Sequence, residues 1–142
     1  MPIRSTSKPK AGKTALQRLI DAEAFIRPWR FKVVSVGDGT VTVRLPLRRS
    51  LLRPGGIVNG PALMAAADVV LWLAIKARHG VGYDALTSDL NTAFLRPARN
   101  ETVYCTGRIL RAGRRRFYGV AECHDKDGHL FSHHTVTYVQ PA

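Results

Sequence analysis

The sequence predicts an α+β domain in which an antiparallel sheet wraps one long central helix. Three observations predict it. Residues 57–75, IVNGPALMAAADVVLWLAI, are apolar on every helical face, so they require cover on all sides. Runs of period-two alternation lie on both sides of this stretch, joined by turns rich in Gly and Asp. The chain of 142 residues is the size of one domain with one core.

The elements follow in order. Residues 1–13 are rich in Lys, Arg, Pro, Ser and Gly with little to bury, which predicts a flexible basic arm ahead of a single domain at 14–142. Thr14 and Gln17 read as a capping box for a short helix over 15–26, with Leu16, Leu19, Ile20 and Ala24 on one face. Pro28 ends it. Alternation then predicts a hairpin over 31–47 around Gly37-Asp38-Gly39. A basic Gly/Pro loop from Arg48 to Gly56 leads to the long helix. Asn59 is its cap, Pro61 sits in its first turn, and His79-Gly80 marks its end. Strands are predicted at 85–96, 101–110, 116–124 and 129–139, running as a meander.

Charge and special residues narrow the function. Lys and Arg total 22 against 10 Asp and Glu, a formal net charge of +12. That excess calls for an anionic partner: nucleic acid, an acidic membrane surface or a phosphorylated small molecule. Nucleic acid is disfavoured, because aromatic residues beside the arginines are limited to Phe117 and Tyr118 and no nucleic-acid-binding motif is present. Asn59, Gly60, Pro61 and Asp68 argue against a membrane span in the apolar segment. Cys105 and Cys123 lie in strand-like stretches without metal-ligand spacing, and the N-terminus lacks the apolar core of a secretory signal. Free buried thiols and a cytoplasmic location are expected. His133 and His134 point to opposite faces of a strand, so no metal site is expected.

Asp68 is the residue to explain. It is the only ionisable group between Arg53 and Lys76, and a buried carboxylate must be paired, solvated in a cavity or neutral. It is either a general base or nucleophile, or a structural acid bonded to a neighbouring strand. Gly60 at the helix start lets a ligand approach a backbone N–H at the positive end of the dipole, as in an oxyanion hole; Asn59-Gly60-Pro61 also reads simply as a cap and turn. Eight residues of helix separate Gly60 from Asp68, about 12 Å. One carbonyl carbon does not reach both within a chain. Two chains related by a two-fold axis would bring them together. Arg111, Arg114, Arg115 and Arg116 cluster at one hairpin tip, with Arg96 and Arg99 at a neighbouring strand end. Guanidinium groups there suit phosphate oxygens.

Pro54 to Pro61, the helix bearing Asp68, Thr87-Ser88-Asp89-Leu90-Asn91 and Phe94-Leu95-Arg96-Pro97-Ala98 together resemble the hotdog-fold thioesterases of the phenylacetate-pathway (PaaI-like) group, over residues 31–139. The resemblance implies a long central helix wrapped by a curved antiparallel sheet, assembled as a dimer or a dimer of dimers. It implies hydrolysis of an acyl-CoA thioester, with coenzyme A as part of the substrate and no other cofactor. Gly60 would donate to the thioester carbonyl and Asp68 would act as base or nucleophile. Thr87 would help hold the attacking water, and Arg96, Arg111, Arg114, Arg115 and Arg116 would meet the CoA phosphates. The group's His stands as Asn59 here, its second Gly as Pro61, and its upstream Asn or Gln as Arg53. Asn59 retains the capping role. Arg53 either stabilises an anion or pairs with Asp68. A non-catalytic acyl-CoA-binding or regulatory protein of the same fold is the alternative reading, and nucleic-acid binding through the basic surface the third.

Overall fold

A computed structural model describes residues 8–141. Helix α1 (Lys13–Ala22) leads into the hairpin β1 (Lys32–Gly37) and β2 (Thr40–Leu45). A two-stranded ribbon follows, β3 (Leu52–Arg53) and β4 (Ile57–Val58), and opens into helix α2 (Gly60–His79). Strands β5 (Leu86–Phe94), β6 (Val103–Ala112), β7 (Arg116–His124) and β8 (Leu130–Val139) complete the chain. This is the hotdog fold expected from the sequence.

The N-terminal region departs from expectation in two places. Residues 1–7 lie outside the described residues. Past them, the N–H groups of Lys10 and Ala11 donate to the Ala77 carbonyl at 2.7 and 3.4 Å, and Ala11 is buried. The last turn of α2 leaves carbonyls without intrahelical donors, and this segment supplies donors. Helix α1 starts at Lys13 behind Gly12, with no side-chain cap. Gln17 does not close a capping box; its Oε1 accepts from Val33 N–H at 2.7 Å and its Nε2 donates to the Phe31 carbonyl at 3.2 Å. The tertiary partner on β1 wins over the local one. The helix also ends at Ala22 rather than at residue 26, and a 3-10 turn, Arg27–Trp29, follows.

The six-stranded sheet has the order β1-β2-β6-β7-β8-β5. Only β6, β7 and β8 form a meander. Strand β5 pairs with β8 at the far edge, and β6 takes the place beside β2. The reason is α2: twenty residues of helix span about 30 Å, enough to carry the chain across a sheet of six strands spaced about 4.8 Å apart.

Helix and sheet approach closely at two glycines. A Cβ on Gly107 of β6 would lie 2.7 Å from Val70 Cγ1, and one on Gly119 of β7 would lie 2.5 Å from Leu71 Cδ1. With Ala121 between them across the β6–β7 register, these residues form a groove that seats the middle of α2. The helix is long and apolar enough to cross a membrane by length and composition, yet most of it is buried in the sheet. Its burial is not complete within one chain. Pro61, Met64, Ala65, Asp68, Val69 and Trp72 form a stripe that the sheet leaves partly uncovered. Cys105 and Cys123 are free and buried.

Candidate active site

Asp68 lies on the uncovered stripe of α2, half-buried rather than enclosed. Thr87 on β5 and Tyr138 on β8 are register partners, so their side chains emerge side by side towards the helix. Both reach the same carboxylate oxygen. Thr87 Oγ1 donates to Asp68 Oδ1 at 2.6 Å, and the Tyr138 hydroxyl lies 2.7 Å from Oδ1 and 2.8 Å from the Asp68 main-chain oxygen. Burial, and then the adjacent Asp68 charge, push the Tyr138 phenol well above its ordinary range. The phenol therefore stays protonated and serves as a donor. Among the described residues no hydrogen bond reaches Oδ2. The carboxylate heads a cleft of about 350 Å³ lined by Phe25, Ile26, Val69, Trp72 and Leu86, with Glu23 and Asp84 also on its wall.

The start of α2 forms a second cleft, of about 360 Å³, with Gly60, Arg53, Leu63, Phe94 and Arg96 on its wall. Asn59 builds its corner. The side chain accepts from Ala62 N–H at 2.9 Å and donates to the Leu51 carbonyl at 2.8 Å, fixing the helix start to the preceding segment. Gly60 packs closely under Phe94, since a Cβ would sit 3.2 Å from the ring. The two clefts share no wall residue, in keeping with the separation expected along the helix.

The sequence candidates thus divide. Asp68 and Thr87 come together, and Gly60, Asn59 and Arg53 come together around the other cleft. The ion pair between Arg53 and Asp68 does not form: Arg53 lies at the Gly60 cleft, and among the described residues no ion pair reaches Asp68. Tyr138 was not expected. Its signal was present in the alternation of β8, where His134, Val136 and Tyr138 share the inward face, because a buried phenol requires a hydrogen-bond partner.

The arginines divide as well. Arg116 pairs with Val139, and Val139 with Leu86, in one row of the sheet. The tip carrying Arg111, Arg114, Arg115 and Arg116 is therefore about 10 Å, two strand spacings, from the strand that holds Thr87. Arg115 also donates to the Gln140 carbonyl at 3.1 Å. Arg96 is engaged elsewhere. It pairs with Asp125 at 3.1 Å and stacks over the Phe131 ring at 4.5 Å, while also lying on the wall of the Gly60 cleft. Asp125, Asp127 and His129 converge at the β7–β8 turn. Asp125 already accepts from the N–H groups of Asp127 and His129, both at 2.9 Å, and its other oxygen meets His129 Nδ1 and Arg96. These bonds account for the cluster as a turn.

The sequence pattern of the thioesterase superfamily matches residues 55–132, from the turn before α2 into β8. The chain is 30% identical over 123 residues to "Putative esterase TV1331" of Thermoplasma volcanium, covering 87% of this chain and 92% of that one. The structure of conserved protein PA5202 from Pseudomonas aeruginosa superposes with a TM-score of 0.81 at 31% identity, covering 87% of this chain and 98% of the other. The E. coli PaaI protein from the phenylacetic acid degradation operon shares the fold at 16% identity, with a TM-score of 0.79 over 89% of this chain and 90% of its own.

Proposed function

Because the chain belongs to the thioesterase superfamily, we propose that it hydrolyses acyl-CoA thioesters to free acid and CoA at a site shared by two subunits. The observation that carries this reading is the Asp68 carboxylate. It is anchored through Oδ1 by Thr87 and Tyr138 from two adjacent strands, at the head of a largely apolar cleft. Anchoring one oxygen removes rotational freedom from the other, which is what a positioned base or nucleophile requires.

Two chains complete the site. Pro61, Met64, Ala65, Asp68 and Trp72 form a continuous, partly uncovered stripe, and β5 is an edge of the sheet among the described residues. A second copy laid antiparallel on this face covers the stripe and brings its Gly60 N–H towards the first copy's Asp68. The Gly60 N–H then binds the thioester oxygen as charge develops, and Asp68 either takes a proton from water or attacks the carbonyl carbon. The arginine tip receives the CoA phosphates. Asn59 positions Gly60 without touching substrate, since both ends of its amide are engaged.

Release of free thiol from a panel of acyl-CoAs tests the proposal, with Asp68→Asn run in parallel. We expect turnover by the wild type and a loss of about 10³-fold in the variant, with fold and oligomeric state unchanged. Full activity in a folded Asp68→Asn protein would remove Asp68 from the mechanism.

One observation favours a second reading, a non-catalytic acyl-CoA-binding protein: Asn59 and Pro61 stand where the resemblance places a His and a Gly. Calorimetric binding of acyl-CoA without turnover by the wild type would establish it.

A further inference from the structure

Of the ten acidic residues in this strongly basic chain, three line the Asp68 cleft: Asp68 itself, Glu23 and Asp84. No Lys or Arg lines it. The neighbouring Lys76 is one positive charge that acts on both Asp84 and Glu23. Its Nζ donates to the main-chain oxygens of Val81 and Tyr83 and lies 5.0 Å from the centroid of the Trp72 ring. Even with Lys76 counted as positive, the cleft region carries net negative charge. Apart from Thr87 and Tyr138, whose hydroxyls bond Asp68, the remaining wall is apolar and includes Phe25, Ile26, Val69 and Trp72.

Phosphates are repelled from such a cleft, and an apolar chain is accepted by it. We infer that the cleft holds the acyl group, and that Glu23 and Asp84 are specificity residues that exclude acyl chains ending in a carboxylate. This rests on the thioesterase reading and deepens it by naming the substrate class: uncharged acyl groups reaching from Asp68 past Trp72. Those two residues are about one helical turn apart, roughly 6 Å, which is the reach of a six-carbon chain. An ω-carboxylate at that distance enters a cleft whose wall carries both acids, and like charges in a partly desolvated cleft are disfavoured. The acids also separate the two ends of the substrate, since its phosphates are drawn to the arginine tip.

The matched pair hexanoyl-CoA and adipoyl-CoA tests the inference, because the two differ only in the terminal carboxylate. The wild type is expected to favour hexanoyl-CoA by roughly 10- to 100-fold in kcat/KM. In the E23Q D84N double variant the ratio of the two falls towards one, a readout that survives any overall loss of activity. Equal rates in the wild type, or a preference unchanged in the double variant, would overturn the assignment. No hydrolysis of either compound would instead count against the thioesterase reading. Binding of non-hydrolysable thioether analogues with the same two tails then reads the discrimination directly, and equal affinities would overturn it.

Discussion

The Tyr138 hydroxyl and Asp68 lie 70 positions apart in the chain, yet the phenol sits 2.7 Å from the carboxylate Oδ1 and 2.8 Å from the carbonyl of the same residue. One side chain from the last strand thus fixes both the backbone and the carboxylate of Asp68. Tyr138 is a positioning residue for the acid that the proposed chemistry uses.

Tyr138→Phe removes the hydroxyl and keeps the ring packed. We expect a folded protein whose kcat falls about 10- to 100-fold, as a loosened reacting group predicts, with a smaller change in KM. Stability should fall by about 1–3 kcal/mol, the cost of leaving a half-buried acceptor short of a partner. Steady-state kinetics and thermal unfolding of the same preparation check both.

Subunit mixing separates a shared site from an internal one. Asp68→Asn and Gly60→Val are each expected to be inactive, the second through a clash with Phe94 and a blocked N–H. When the two are co-refolded, half of the dimers are mixed and each mixed dimer has one intact site, so about a quarter of wild-type activity should return. No recovery, with mixed dimers demonstrated, would place both groups in one chain's site.

The glycine groove sets the depth of α2. A Cβ at position 119 would lie 2.5 Å from Leu71 Cδ1 and 2.6 Å from the Arg108 main-chain oxygen. The second contact is backbone and does not rotate away. Gly119→Ala should cost about 1–3 kcal/mol by overpacking and lower activity by moving the turn that carries Asp68. Gly107→Ala has its tightest contacts with the side chains of Val70 and Leu71, the nearest backbone atom being Val70 C at 3.4 Å, and should be milder. Denaturant unfolding of both variants tests the order.

His79 predicts a loss of stability in acid. It stacks on Tyr83 at 4.5 Å and meets Phe117 edge-on at 5.4 Å, and its Nε2 is buried with no partner among the described residues. Burial lowers its pKa, the Arg78 and Lys10 charges lower it further, and Asp38 opposes them. The unfolded chain therefore binds the proton more tightly than the native one. Its contribution is intact above the unfolded value of about 6.5 and is lost as pH falls through the lower folded value. Thermal unfolding at about pH 7.5 and about pH 5.5 should show a fall in Tm for the wild type and a smaller fall for His79→Phe.

Much of the molecule was legible in its residues. The all-round apolarity of 57–75 required a central helix, and Asn59 and Gly80 bounded it where the structure does. Period-two alternation located the six strands of the main sheet to within a few residues, because the side chains of a half-buried strand must alternate, while the two-residue strands β3 and β4 fell in a segment read as loop and helix start. Asp68 was conspicuous as a lone charge in an apolar helix, and the eight-residue spacing to Gly60 already put the two out of reach of one carbonyl carbon within a chain. Other features depended on contacts between distant segments, which local pattern does not encode. Gln17 satisfied the β1 backbone instead of its own helix. Strand β5 crossed to β8, since α2 carried it to the far edge. Arg96 found Asp125, and Arg53 stayed apart from Asp68. Tyr138 met Asp68 only because sheet register set it beside Thr87. Spacing and hydropathy determine which segments form and which face each buries. Register and packing, which depend on the whole chain at once, decided which polar groups meet.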